Sequence, residues 1–409
     1  MKKQIIALLS SLTLGFTIGL LYLGFTTAVD VSQDYIWFDL FDVTNNKVYI
    51  IPLAIAGGVL MAGALKLFKQ TNKKSGLSIK ELSLLKNISP TWVVTSLALG
   101  YISLVAGASL GPEAILMPLS FAIGILFAGM YSIEQKKVFG LLAVIAMLAA
   151  FFNSWYAGLL PLCLIAINKK IDIKQTLKLI LLGLLTVFGS LAALNLLQHK
   201  SGYLVLESFG SISITPKLLL LSFVVSAAVT LLPLFAHKVT FKIQKIFNLL
   251  PNKWLLQGLI AGAGLAVMYY LLGPVAFFSG SGGISELIAN NSEYTSLQLA
   301  GLAVGKILVT AWCLGTIFRG GIVFPLLLSG VSVSLLLSGG IPDINWLVAL
   351  LVSTFFGIFY GAFGSFAIAV TFVLSLFGFT AWPLLLAAAF GSFVVKKLYK
   401  KPISETLAI

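Results

Sequence analysis

The sequence predicts an all-α, polytopic membrane protein with broken, tilted helices and an inverted-topology repeat. Composition is the first observation behind this. Of 409 residues, 59% are hydrophobic and only 10% are charged, and the mean hydropathy is +1.04. Soluble domains carry about 25% charged residues. The second observation is a pair of interruptions in the apolar runs. Gly107 to Pro118 reads G-A-S-L-G-P-E-A-I-L-M-P, and Arg319 to Gly330 reads R-G-G-I-V-F-P-L-L-L-S-G. The third is the distribution of charge, which collects in loops of alternating sign.

Taken in order, Met1-Lys2-Lys3 and the apolar run to about Ala28 resemble a signal peptide. The run exceeds the usual ~7–15 residues and no small-x-small cleavage site follows, so it reads as the first membrane helix. The loop to about Val48 then carries Asp30, Asp34, Asp39 and Asp42 against Lys47. The next loop, Lys66 to Lys86, is basic, as are the stretches around Lys169–Lys178, Lys238–Lys253 and Lys396–Lys401. Positive charge marks the cytoplasmic side. The expectation is therefore a multi-pass protein of the inner cell membrane with both termini cytoplasmic, its acidic loops around Glu207, Glu286 and Asp343 lying outside.

The net charge of +14 reads as topology and contact with anionic lipid rather than nucleic-acid binding. Cys163 and Cys313 both lie in apolar runs, which suggests neither a disulfide framework nor a metal site. No cofactor is expected. The whole chain, 1–409, reads as one transmembrane domain with approximate halves 1–200 and 201–409 and no soluble regulatory domain.

The two interruptions carry the function. Bare backbone at membrane depth is tolerated only where protein buries it or a cavity wets it. Pro112 suits a first helical turn, where its missing N–H costs nothing. Gly111-Pro112 therefore reads as a helix start inside the bilayer, with free N–H groups and a positive dipole end, a site for an anion. Gly321-Ile322-Val323, ahead of Pro325, has the same grammar. Broken helices in corresponding positions of two halves point to the central site of a transporter. A weaker echo joins Asn153–Gly158 to Tyr360–Ser365. Partial charges from helix ends hold an anion weakly enough to release it, which conduction requires.

These segments resemble those of the CLC family of chloride channels and chloride/proton antiporters. Gly321-Ile322-Val323-Phe324-Pro325 is similar to its G-x-F-x-P segment, and Leu110-Gly111-Pro112 to the end of its G-x-E-G-P segment. Lys74-Ser75-Gly76-Leu77-Ser78 resembles its G-S-G-I-P segment, and Lys401-Pro402-Ile403-Ser404 the final segment that carries a tyrosine. Ser279–Ile284 resembles the family's glycine-rich loop. The resemblance implies a homodimer with one anion pathway per subunit and chloride or another small anion as partner. It also implies an anion site drawn from Ser75, Gly111, Gly321, Ile322, Val323 and Ser404.

Two departures bear on mechanism. The family's gating glutamate corresponds to Leu110, and the region of its second proton-handling acid corresponds to Leu164-Ile165. The expectation is passive anion permeation rather than proton-coupled exchange. Leu110 and Glu113, the acid one turn later, are the gate candidates. With helix-start N–H groups nearby and no apolar seal evident, Glu113 is expected to be charged. It reads either as a displaced gate, which would also leave an antiporter using Glu113 open, or as a first-turn acid that stabilises the helix dipole. Arg319 reads as an anion partner or as the partner of an acid such as Glu286. Gly107–Gly111 also fits the G-x-S-x-G pattern of serine hydrolases. That rival, an intramembrane hydrolase using Ser109, needs a base beside the serine, and His199 and His237 lie near charged loops. The chain is not expected to be an enzyme.

Overall fold

The computed structural model describes residues 2–69, 89–129, 133–168, 172–197, 213–251, 253–339 and 343–398. The helices are α1 (Lys2–Gln33), α2 (Ile50–Leu67), α3 (Pro90–Val105), α4 (Glu113–Phe127), α5 (Ile133–Phe152), α6 (Trp155–Asn168), α7 (Ile173–Leu196) and α8 (Pro216–Val229). They continue with α9 (Leu231–Phe247), α10 (Trp254–Leu272), α11 (Ser281–Ala289), α12 (Ser296–Gly315), α13 (Val323–Ser338), α14 (Ile344–Phe363), α15 (Phe366–Phe377) and α16 (Trp382–Leu398). Among the described residues, nine helical segments are long and apolar enough to cross a membrane. Others, including α4 and α13, are apolar but short. A 15-residue helix such as α4 is about 22 Å long, less than the ~30 Å hydrocarbon core, so it ends inside the layer.

Helix starts follow local chemistry. Ser89 accepts from the Trp92 N–H with Pro90 in the first turn, and Thr215 accepts from Leu218 N–H ahead of Pro216. Thr295 and Gln298 form a reciprocal capping box at α12. Each arrangement satisfies N–H groups that have no partner within their own helix.

Close packing depends on glycine. A Cβ on Gly15 would stand 1.9 Å from the Thr186 carbonyl oxygen, so α1 and α7 touch backbone to backbone. Gly58, Gly258 and Gly262 bring α2 and α10 together in the same way, and Gly357 and Gly361 seat α14 against Ser226 and Thr230 around the α8–α9 junction. Lipid gives apolar side chains no reason to prefer each other, so small residues that admit close dispersion contact do that work. Gly58→Val should therefore abolish folding or lower the melting temperature steeply, since overpacking costs about 1–3 kcal/mol or more. Gly301→Ala, with nothing within 4 Å, should be neutral or slightly stabilising. Thermal melts in detergent compare the two.

The repeat is visible in the element order. In one half, α3, a break, the 15-residue α4, the 20-residue α5, a left-handed residue at Asn153 and the short α6 follow in turn. In the other, α12, a break, the 16-residue α13, the 20-residue α14, a left-handed Gly364 and the short α15 repeat the series. The Asn153 and Tyr360–Ser365 segments are thus equivalent helix junctions.

Three expected loops are corrected: Lys238, Lys242 and Lys245 lie in α9, Glu286 lies in α11, and the first acidic loop is largely helical. Asp30, Asp34 and Asp39 are not in a loop. Helix α1 runs to Gln33 and continues as a π-helical turn over Asp34–Leu40. Asp30 and Asp34 line a cavity of about 850 Å³, together with Gln33, Phe278, Ser281 and Glu286. Carboxylates can stay helical at this depth because the cavity lets water reach them.

Candidate functional site

The two breaks meet. Gly111 N–H donates to the Gly321 carbonyl at 2.8 Å and Gly321 N–H donates to the Gly111 carbonyl at 2.6 Å, an isolated antiparallel bridge. The reciprocal exchange is locally two-fold, as a repeat of inverted topology requires. The offset of 210 residues extends beyond this pair. Ser103 Oγ on α3 accepts from the Arg319 N–H at 2.7 Å. In the equivalent place Cys313 Sγ on α12 accepts from the Ser109 N–H at 3.4 Å. Each break is pinned by the helix preceding the other.

At the next equivalent pair the symmetry fails, and there the chemistry lies. Glu113 opens α4, and its counterpart Val323 opens α13. Glu113 Oε1 accepts from the Val323 N–H at 2.6 Å. The acid of one half thus caps the helix of the other, whose own N-cap, Ile322, offers no side-chain bond. A negative group at a helix start is stabilised by the dipole and by the unpaired N–H groups. The carboxylate fits because both bridge residues are glycine. A Cβ at Gly111 would stand 2.0 Å from Oε2, and one at Gly321 would stand 2.0 Å from Oε1.

Glu113 is only 2% exposed. The expected open surround is therefore corrected to a sealed one, closed by tertiary packing that residue order along the chain does not disclose. Oε2 is buried and has no hydrogen-bond partner among the described residues. An unsatisfied acceptor of this kind costs about 1–3 kcal/mol, so the carboxylate is held by one strong bond and strained by one missing bond.

The break opposes a second helix end. The C-terminus of α3 points its carbonyls here, and these would repel an anion. They are covered: Gln33 Nε2 donates to Leu104 O at 2.8 Å, Trp37 Nε1 to Val105 O at 3.2 Å, and Tyr269 Oη to Gly107 O at 2.6 Å. Gly107 has φ +94°, and a Cβ there would meet the Trp37 ring at 2.5 Å, so this turn requires glycine twice over. Trp37 packs edgewise on Tyr269, Phe277 and Phe278. Sequence reasoning missed Gln33, Trp37 and Tyr269. Their only signal is polar atoms inside apolar runs.

Other expected residues fall as follows. Leu110 is fully buried, its Cβ 2.5 Å from where a Cβ on Gly320 would sit. It packs the bridge and presents no titratable group. Ser109 is also fully buried, with Oγ 3.4 Å from Thr310 Oγ1, unlike the exposed serine of a nucleophile elbow. Glu286 accepts from Tyr294 Oη at 2.8 Å. Ser75, Ser404, His199 and Glu207 lie outside the described residues. A smaller cavity of about 30 Å³, room for one or two waters, is lined by His237, Thr240, Thr310, Ile322 and Pro325. It borders the α13 start, while the larger vestibule is lined by Phe277 and Phe278, which pack on Trp37.

A family model described as voltage gated chloride channel matches residues 57–397. The chain belongs to this family, the CLC proteins. It is 24% identical over 369 residues to chloride channel protein CLC-f of Arabidopsis thaliana, covering 82% of this chain and 45% of that protein. It is 25% identical over 253 residues to putative ion-transport protein YfeO of Shigella boydii serotype 4, covering 62% of this chain and 58% of that protein. The chain thus spans about half the length of the curated relatives it matches. The CLC fold is also that of solved structures. A slow cyanobacterial Cl−/H+ antiporter superposes with TM-score 0.76 at 21% identity, covering 98% of this chain and 97% of that one. A CLC-type fluoride/proton antiporter superposes with TM-score 0.74 at 17% identity, covering 97% and 96%.

Proposed function

We propose that this CLC protein carries a small anion, chloride foremost, through the membrane along a path closed at its centre by Glu113. The observation that supports this most is the Glu113 carboxylate on the Val323 N–H. It occupies the kind of helix-start position that suits an anion, and Ile322 beside it lines the smaller cavity. An anion that reaches Gly111, Ile322 and Val323 must displace that carboxylate. Glu113 is then the gate, and Leu110 packs behind it. The working unit is a homodimer in the inner membrane, each subunit with its own path, and Ser75 and Ser404 complete the site from segments outside the described residues.

Permeation is passive in this reading, because Leu110 and Leu164-Ile165 supply no carboxyl to carry a proton. A second reading, exchange of anion for proton, is favoured by the placement of Glu113. A buried acid that competes for the anion position is what an exchanger needs, and two solved relatives are named antiporters. Liposomes holding the purified protein, with chloride efflux and proton flux recorded together, separate the two. The expected result is chloride flux without stoichiometric proton movement. Uphill proton transport driven by a chloride gradient at a fixed ratio would establish exchange. Absence of any anion flux from folded protein would refute both.

A further inference from the structure

Among the described residues, Glu113 and Lys306 are the charged side chains that are almost wholly buried, at 2% and 0% exposure. Glu113 belongs to the site above. Lys306 sits in the middle of α12, and its Nζ donates to the Ala276 carbonyl at 2.8 Å and the Phe278 carbonyl at 2.6 Å. These partners are carbonyl oxygens, which accept two of the three ammonium hydrogens and bring no opposite charge. An ionisable side chain at membrane depth is costly and marks a pathway more often than a packing accident.

Its location has two informative sides. Phe277, Phe278 and Gly280 line the vestibule. Gly280 has φ +87°, and a Cβ there would stand 3.1 Å from Lys306 Cε. The ammonium therefore lies one thickness of backbone behind the vestibule wall. In the other direction, Lys306, Thr310 and Cys313 share one face of α12, spaced i, i+4, i+7. Thr310 and Cys313 are the residues that touch Ser109 at the first break. Lys306 is thus about 6 Å along the helix axis from Thr310, between the vestibule and the break. The vestibule itself carries Asp30, Asp34 and Glu286, three carboxylates that oppose the entry of an anion.

We infer that Lys306 is an electrostatic selectivity element: its ammonium, held behind the vestibule wall by two carbonyls, offsets the vestibule carboxylates and draws anions inward. Because the wall separates it from the path, it attracts without holding the ion tightly, as conduction requires. It touches no ion and acts through its field. The inference rests on the anion-transport reading above.

The test is chloride flux and the chloride-to-potassium permeability ratio, from reversal potentials in a KCl gradient, with full-length protein in liposomes and planar bilayers. K306Q should lower the ratio by about tenfold, as loss of a nearby low-dielectric charge implies. K306R should keep it near the wild-type value. Adding D34N to K306Q should recover part of the loss, which a purely mechanical peg does not allow. If K306Q does not fold, Ser281→Glu at the start of α11, in the vestibule lining, carries the test and should lower the ratio as well. The inference is overturned if folded K306Q stays within twofold of wild type, if K306R is as impaired as K306Q, if D34N restores nothing, or if Ser281→Glu leaves the ratio unchanged. Wild-type flux with an unaltered K306Q counts against Lys306 alone, whereas absence of wild-type flux overturns the transport reading with it.

Discussion

Glu113→Gln should raise anion flux by about ten- to a hundredfold, because a charge-assisted hydrogen bond worth about 1.5–3 kcal/mol is weakened and each 1.4 kcal/mol is tenfold. The substitution nearly keeps the shape that fits between Gly111 and Gly321, so the helix starts should survive. It removes the negative charge that competes with the permeant ion for the Val323 N–H. Wild-type flux should rise as pH falls, since a protonated carboxyl no longer competes as an anion, and the glutamine variant should show a flat profile. Bromide soaked into crystals of the variant should appear beside the Val323 nitrogen. If flux and its pH profile match wild type while the protein stays folded, Glu113 is a structural cap of α13 and the gate is elsewhere.

Gly321→Ala should open the same path by a different route. The new methyl would lie 2.0 Å from Glu113 Oε1 and 2.6 Å from its Cγ. The backbone need not protest, since Gly321 is not among the positive-φ glycines. What yields is the flexible end of the glutamate, which leaves the Val323 N–H. Flux should rise by a factor comparable to that of Glu113→Gln, and the double variant should add little, because both changes break one interaction. Additive effects, or loss of flux with the fold intact, would show that Gly321 lines the path rather than seating the gate. Gly320→Ala is the contrasting control. Its methyl would stand 2.5 Å from Leu110 Cβ and 3.0 Å from the Gly111 carbonyl oxygen, which cannot swing aside, so it should destabilise the protein.

Much of the architecture was legible from residue order. Composition alone demanded helices in a membrane, and glycine and proline at Gly107–Pro112 and Gly320–Pro325 located the broken helices. Backbone conformation is local, so local residues reveal it. The boundaries of α1 were not legible. Asp30 and Asp34 look like loop residues until an open vestibule makes them compatible with a helix.

By itself the sequence determined the helical membrane fold, the pairing of two breaks half a chain apart, and the presence of one acid beside the first. It could not decide what that acid does. Only tertiary structure brings Glu113 to the Val323 N–H across 210 residues, sets Gln33, Trp37 and Tyr269 on the carbonyls that end α3, and buries Lys306 behind the vestibule wall. The physical reason is that dipoles, capping partners and uncancelled charges act through space at a few ångströms. Glycine and proline report conformation where they stand, whereas a carboxylate or an ammonium acquires its role from whichever backbone groups the fold places beside it.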